Sequence, residues 1–383
     1  MKKVFRISTV PSSLNILLKG QLRYLNQFFE ITAISGSGQD LDDTRLRENV
    51  KTHVIEMQRP ISPFKDLISL VKLYWYFKKE RPDIIHSITP KAGLLSMIAG
   101  KLAGIPIRMH TFTGLVFPYK NGLMQKVLIM MDRLLCYCAT NIYPEGQGVK
   151  KDLEQYEITK KPLKVIANGN VNGIDIAYFD PVLFSEIDKL ALRNELEIDG
   201  TDFVFLFVGR LVRDKGINEL VEAFVELNIK SPKTKLLLVG PFEEELDPVL
   251  PETKNKIQNN ANIISVGFQK DVRPYFAISD TFIFPSYREG FPNVLLQAGA
   301  MGLFSIVTDI SGSNEIIKNG LNGQVIPVRD KNELFKAMSA RLKNNNDGSP
   351  NENICRSLIA KAYEQSNVWE SIKNEYYSLI DNN

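Results

Sequence analysis

The sequence predicts an α/β chain of two doubly wound domains, each a parallel sheet with helices on both faces, facing one another across a cleft. Three observations predict it. Short β-rich runs alternate with helical stretches along most of the 383 residues. Around Asn170–Pro181 the alternation lapses into Asn, Gly, Asp and Pro, and then restarts. The length also suffices for two domains of ordinary size, each with its own core. The expected division is 1–170, 171–360, and a final helix over 361–383 that packs back on the first domain.

In the first half, strands are expected at Val4–Thr9, Glu30–Ser35, His53–Met57, Asp83–Ile88, Ile107–Thr113, Asn141–Tyr143 and Lys164–Ile166. Helical patterns lie between them at Leu14–Gln27, Lys65–Lys79, Ala92–Ala103 and Leu123–Cys138. The second half opens on Phe203–Val208, an uninterrupted apolar run and so a strand buried on both faces. After the helix Asn218–Leu227, strands read at Lys235–Val239, Ile263–Val266, Thr281–Pro285, Phe304–Thr308 and Gln324–Val328. The polar stretch Asn344–Asn353 reads as an exposed loop. Trp369, Ile372, Tyr376 and Leu379, at helical spacing, mark an amphipathic helix near the end.

A hydrophobic content of 44% and a charged content of 24% are those of a soluble globular enzyme. No apolar run reaches 18 residues; Val127–Ala139 is shorter and is interrupted by Asp132 and Arg133. Arg6 breaks the first apolar segment, which reads as a strand and not as a signal peptide. Cys136, Cys138 and Cys355 form no CxxC, and their odd number argues against a disulfide framework, so a cytoplasmic setting is expected. The net charge of +3 divides into +11 over residues 1–165 and −8 over the remainder. The first half is therefore expected to meet an anionic partner, although scattered solubilising lysines would give the same balance. The basic half shows no nucleic-acid-binding module, so nucleic acid is not expected. In the helix Pro63–Lys79, Phe64, Leu67, Ile68, Val71, Tyr74, Trp75 and Phe77 alternate with Lys65, Lys72, Lys78 and Lys79. Aromatics beside lysines suit a membrane surface, and they equally suit a helix that covers a sheet.

Two stretches carry the chemistry. The first is Phe284-Pro285-Ser286-Tyr287-Arg288-Glu289-Gly290-Phe291-Pro292-Asn293, running on to Gln297. A strand ends at Pro285, a turn presents Glu289 and Gly290, and a helix begins near Pro292. A carboxylate and backbone N–H groups thus collect at a strand's carboxyl end, the usual place for a nucleotide. Glu289 and Gln297, about two helical turns apart, would address different parts of one elongated ligand. The second is Val208-Gly209-Arg210-Leu211-Val212-Arg213-Asp214-Lys215-Gly216. Here the planar fork of Arg210 and the point charge of Lys215 flank a strand-to-helix turn and would hold a diphosphate as it leaves.

Together these stretches resemble the family 4 retaining glycosyltransferases of the GT-B fold, two Rossmann-like domains. Gly209–Gly216 matches the family's G-R-L-x-x-x-K-G motif, and Glu289-Gly290-Phe291 opens its E-x7-E motif, with Gln297 in place of the second Glu. Ser311-Gly312-Ser313-Asn314-Glu315-Ile316-Ile317 and Asn319-Gly320-Leu321-Asn322-Gly323 match its downstream turns. The resemblance implies that Arg210 and Lys215, with Gly209, bind the donor diphosphate. It implies that Glu289, with Gly290 and Phe291, lies near the donor sugar, that Gln297 meets the ribose, and that Phe268 and Gln269 meet the base. His110, which ends a strand, matches a family histidine facing the transferred sugar. Lys19-Gly20-Gln21 stands where many members place a glycine-rich loop. The resemblance further implies a nucleotide-sugar donor (UDP the expected nucleotide) and no cofactor. The run Thr89–Leu95 and His110–Phe117 also looks like bacterial capsule and O-antigen transferases, which implies a polyprenyl-diphosphate-linked acceptor. With the basic first half, it places the enzyme on the inner face of the cytoplasmic membrane. Asp40-Leu41-Asp42 is a DxD, but it falls in a polar stretch and no metal is expected. The alternatives are a sugar-nucleotide 2-epimerase of similar fold and a catalytically silent subunit.

Overall fold

The computed structural model describes residues 1–245, 247–344 and 352–382. The chain divides into unit 1, Met1–Gly173 with Gln365–Asn383, and unit 2, Ile174–Glu364.

Unit 1 runs β1 (Lys3–Ile7), α1 (Pro11–Leu17), α2 (Gln21–Leu25), β2 (Glu30–Ser35), α3 (Gln39–Glu48), β3 (Lys51–Val54), α4 (Pro63–Glu80) and β4 (Ile84–Ser87). It continues through α5 (Pro90–Ala103), β5 (Ile107–Phe112), α6 (Gly122–Cys138), β6 (Asn141–Pro144) and α7 (Gln147–Gln155). The strands form one parallel sheet, β3-β2-β1-β4-β5-β6. Successive side chains of a strand enter opposite faces, which splits the core into two layers. Phe5, Ile7 and Ile85 join Leu73, Phe77, Met97 and Leu135 of α4, α5 and α6. Val4, Ile31 and Ile84 join Leu14, Leu22 and Leu41 of α1, α2 and α3 on the other face.

Unit 2 repeats the plan, with β7 (Phe203–Val208), β8 (Thr234–Val239), β9 (Ile263–Gly267), β10 (Thr281–Phe284), β11 (Phe304–Thr308) and β12 (Gly323–Ile326). They form a second parallel sheet, β12-β11-β10-β7-β8-β9. Its helices are α8 (Glu186–Glu195), α9 (Ile217–Lys230), α10 (Pro251–Asn259), α11 (Arg273–Ala277), α12 (Asn293–Ala300), α13 (Ser313–Ile316), α14 (Lys331–Asn344) and α15 (Glu352–Tyr363). In each sheet the strand order reverses once, at β1/β4 and at β7/β10, and ligands of doubly wound sheets collect at the carboxyl ends beside such reversals.

The last helix, α16 (Gln365–Asp381), belongs to unit 1, where Val368, Ile372 and Tyr376 complete the layer of α1, α2 and α3. The Tyr376 hydroxyl takes a hydrogen bond from Arg6 Nη1 at 2.8 Å and meets His86 Nδ1 at 2.7 Å.

Several expected elements differ. Leu14–Gln27 is two helices, broken where Gly20 takes φ +80°. A Cβ there would stand 2.7 Å from the Trp369 ring, so the Lys19–Gln21 turn is committed to seating α16. The polar stretch holding Asp40 and Asp42 forms α3, where Asp40 accepts from Asn15 and Asp42 faces Arg45. Lys164–Ile166 forms no strand, since the chain there makes only an isolated bridge, Leu163 with Ile142. Of the expected loop, residues 345–351 lie outside the described residues.

Candidate active site

In unit 2 two turns meet at the carboxyl ends of neighbouring strands β7 and β10. The first leaves β7 through Gly209 and Arg210, makes a single 3-10 turn at Arg213–Lys215, and enters α9 through Gly216 at φ +70°. A Cβ on Gly216 would lie 2.2 Å from the Pro285 carbonyl oxygen, so the two turns touch backbone to backbone. The Tyr287 N–H donates to the Asp214 carbonyl at 2.8 Å, and Arg288 Nε donates to the Asp214 carboxylate at 2.7 Å. This clamp brings Lys215 onto Glu289 as a largely buried ion pair. Ser286 Oγ donates to the same Glu289 oxygen at 2.9 Å, and Thr308 holds the Ser286 carbonyl from behind. Lys215 Nζ also lies 5.2 Å over the Phe284 ring.

Arg210 stands apart from this pair, 57% exposed, with its guanidinium against Glu243. Lys215 has three donors and Glu289 engages one of them, so the remainder suit phosphate oxygens. The exposed Arg210–Glu243 pair is worth little by itself and can yield to a competing anion. Gly209 is pressed against Gly240, where a Cβ would meet the Gly209 carbonyl at 1.9 Å. The Gly290 carbonyl is similarly covered, 2.5 Å from where a Cβ on Gly312 would be.

Phe268 is 74% exposed just beyond β9, and the Gln269 amide donates to the Val266 carbonyl at 2.9 Å. Gln297 is half-buried on α12 and its amide makes no hydrogen bond among the described residues. The Phe291 side chain is buried, its ring 5.6 Å from that of Tyr363, so it packs in the core and its backbone is what remains for a ligand.

His110, on β5 of unit 1, is buried under α5. Its Nδ1 meets Ser87 Oγ at 2.8 Å, and a Cβ on Gly93 would stand 2.4 Å from its Cε1. Burial drives its pKa down to about 3, so the ring is neutral, and its Nε2 has no partner among the described residues. His86, buried between Tyr376 and Thr111, is likewise held neutral by loss of solvent.

Unit 1 also holds a cavity of about 420 Å³ at the carboxyl ends of β1, β4 and β5. Its walls include Leu94, Phe112, Leu115, Phe117, Leu128 and Met131, and Asp132 opens onto it. Burial pushes the Asp132 carboxyl up to about 7. Sequence reading passed over this residue as a break in an apolar run. The available signal was that Asp132 is the only acid between Asp83 and Glu145. Among the described residues, no group of three or more His, Cys, Asp or Glu side chains is placed to hold a metal ion, and no helix is long and apolar enough to cross a membrane.

Two family models match the chain, one for glycosyltransferase family 4 over residues 21–170 and one for glycosyl transferases group 1 over residues 188–365. The capsular polysaccharide biosynthesis glycosyltransferase CapM of Staphylococcus aureus is 30% identical over 99% of this chain and 98% of its own length. The UDP-Gal:alpha-D-GlcNAc-diphosphoundecaprenol alpha-1,3-galactosyltransferase of Escherichia coli is 28% identical over 93% and 91%. Among solved structures, Anabaena Alr3699/HepE in complex with UDP superposes with a TM-score of 0.81 at 19% identity, covering 99% of this chain and 100% of that one, a likeness of fold.

Proposed function

The chain belongs to the family 4 glycosyltransferases of the GT-B fold, and on that premise we propose that it moves a sugar, with retention, from a UDP-sugar to a polyprenyl-diphosphate-linked glycan in bacterial surface polysaccharide synthesis. The observation that carries this reading is the meeting of Lys215 and Glu289 at adjoining strand ends, with Arg210 exposed on the turn that leads to Lys215. In the transfer, the bond from sugar C1 to the diphosphate breaks with its electron pair on the phosphate oxygen. The acceptor hydroxyl oxygen bonds to C1, and its proton leaves to the departing phosphate or to solvent. Arg210 and Lys215 offset the charge that develops on the diphosphate, so no metal or other cofactor enters the scheme. Glu289 lies by the donor sugar, Gln297 accepts from or donates to the ribose, and Phe268 stacks on the base while Gln269 borders it. For His110 the sugar-contact role rests on the family resemblance alone. The names of the two relatives, one a capsule enzyme and one acting on a diphosphoundecaprenol-linked sugar, support the acceptor class. Matches to glycosyltransferase models over both halves favour transfer over epimerisation.

The test is a panel of nucleotide sugars against lipid-linked acceptors, with products read by mass spectrometry and anomeric configuration by NMR. Transfer with retention that persists in excess EDTA is expected. Inversion, or activity lost in EDTA and restored by manganese, would refute that part of the reading.

The same reading places the enzyme on the inner face of the cytoplasmic membrane. On α4, Leu73 and Phe77 turn into the core, whereas Phe64, Leu67, Ile68, Val71 and Trp75 are exposed, with Phe64 87% and Trp75 65% open. Exposed Leu123, Met130, Leu134 and Tyr137 line α6. Exposed apolar side chains on helices that also carry exposed lysines, such as Lys65, Lys72, Lys78 and Lys79 of α4, suit an anionic bilayer. The protein should co-sediment with anionic vesicles at 0.1 M salt and be released at 1 M, where the Debye length has fallen from about 10 Å to about 3 Å. Equal binding to neutral vesicles, or binding to neither, counts against the membrane partner.

A further inference from the structure

The unit 1 cavity has a composition that stability alone does not account for. Its walls are apolar and aromatic, yet α6 places a carboxyl on it, and among the described residues Asp132 makes neither a hydrogen bond nor an ion pair. Asp132 is half-buried, and a poorly solvated ionisable group that lines a cleft with no protein partner marks a candidate ligand site. The cavity's size is that of a small-molecule site in which a few polar groups orient a mostly apolar contact. Two features say which molecule. Arg59, exposed and unpaired among the described residues, borders the same cavity, as does Lys91, which is already held by Asp66. The helix that carries Asp132 also carries the exposed Leu123, Met130 and Leu134. A hydroxyl-bearing ring, an anionic linker and an apolar chain would thus find a carboxylate, a guanidinium and an apolar helix face in one stretch of surface.

We propose that this cavity seats the acceptor's terminal sugar, that Asp132 accepts a hydrogen bond from one of its ring hydroxyls, and that Arg59 meets the diphosphate linking that sugar to lipid. The proposal rests on the lipid-linked-acceptor reading above. Phe112 and Phe117 give the ring's C–H face an apolar wall, and Asp132 then makes the choice among sugars. A site that holds a hydroxyl on a buried polar group rejects an analogue lacking it, because that group is left unpaired.

Direct binding tests this on the full chain with two soluble probes, farnesyl-diphosphate-linked N-acetylglucosamine and farnesyl diphosphate alone, titrated by calorimetry with UDP as a third ligand. The wild-type protein should bind the sugar-bearing probe at least tenfold more tightly than the sugarless one. Asp132→Leu should bring the two within about twofold, leave UDP affinity unchanged, and raise KM for acceptor without raising KM for donor. Asp132→Asn, which keeps an acceptor oxygen, should retain most of the preference, and Arg59→Gln should weaken both probes alike. Leu128→Trp, which fills the cavity from the same helix, gives a second route if the leucine variant fails to fold. It should abolish binding of the sugar-bearing probe preferentially. Unchanged preference in Asp132→Leu or Leu128→Trp, or a wild-type protein that binds both probes equally, overturns the proposal while leaving the lipid-linked acceptor in place. A wild-type protein that binds neither probe while still binding UDP overturns the acceptor reading and the proposal with it.

Discussion

Alanine at Lys215 should slow turnover at saturating donor by about 30- to 1000-fold, the loss that goes with ~2–4 kcal/mol of transition-state electrostatics. Lys215 is held in place before any charge develops, by Glu289 on one side and the Phe284 ring beneath it. Its charge therefore needs no reorganisation at the moment the diphosphate departs. Removing it also strands Glu289, which keeps only the Ser286 hydroxyl, so a modest fall in melting temperature should accompany the kinetic loss. Arg210→Ala separates the two effects. Its guanidinium is mostly exposed and pairs only with Glu243 at the surface, so turnover should fall steeply while the melting temperature stays put. Lys215→Arg is no rescue, because a planar fork does not fit where a compact ammonium sits against a carboxylate and an aromatic face. Near wild-type kcat in both alanine variants would sink the phosphate assignment.

Gly216→Ala should be among the most destructive single-methyl additions in unit 2. The residue takes φ +70°, which costs a non-glycine residue about 1 kcal/mol or more. Its new Cβ would also stand 2.2 Å from the Pro285 carbonyl oxygen, and a backbone oxygen anchored in a strand end cannot step aside as a side chain can. Together these should cost about 3 kcal/mol or more, a fall of roughly 6–12 °C for a unit of this size. Gly267 is the control. It also has positive φ, +67°, but nothing lies within 4 Å of where its Cβ would be, so Gly267→Ala should cost only the backbone strain. Thermal unfolding followed by circular dichroism distinguishes the two, and equal small shifts would show that the β7 and β10 turns are not in rigid contact.

What was legible in the sequence follows from what each residue had to do locally. Phe203–Val208 announces itself because a strand covered on both faces needs apolar residues throughout. Arg210, Lys215 and Glu289 were legible as motif residues, but the meeting of Lys215 with Glu289 was not, since it depends on the pairing of β7 with β10. Helix α3 escaped notice because only Leu41 and Thr44, with the carboxylate of Glu48, turn inward from an otherwise polar helix. The break at Gly20 was hidden because its cause, the Trp369 ring, lies some 350 residues on. Phe291 sits inside a ligand-binding motif yet faces the core, a choice set by Tyr363. Asp132 escaped for the same reason, because a carboxyl in an apolar run gains meaning only once a cavity is seen beside it.

The hydrogen bonds of Tyr376 to Arg6 and His86 carry a consequence for how the protein comes into being. Unit 1 starts at the first strand but is finished only by the last helix, with all of unit 2 lying between them in the chain. On the ribosome, unit 2 has its whole sequence in hand while unit 1 still lacks one side of its inner layer and leaves the guanidinium of Arg6 uncovered. The half that is made first is therefore completed last. Until α16 arrives, Leu22, Phe29 and Ile31 present an open apolar seam, which is the surface a nascent-chain chaperone would hold.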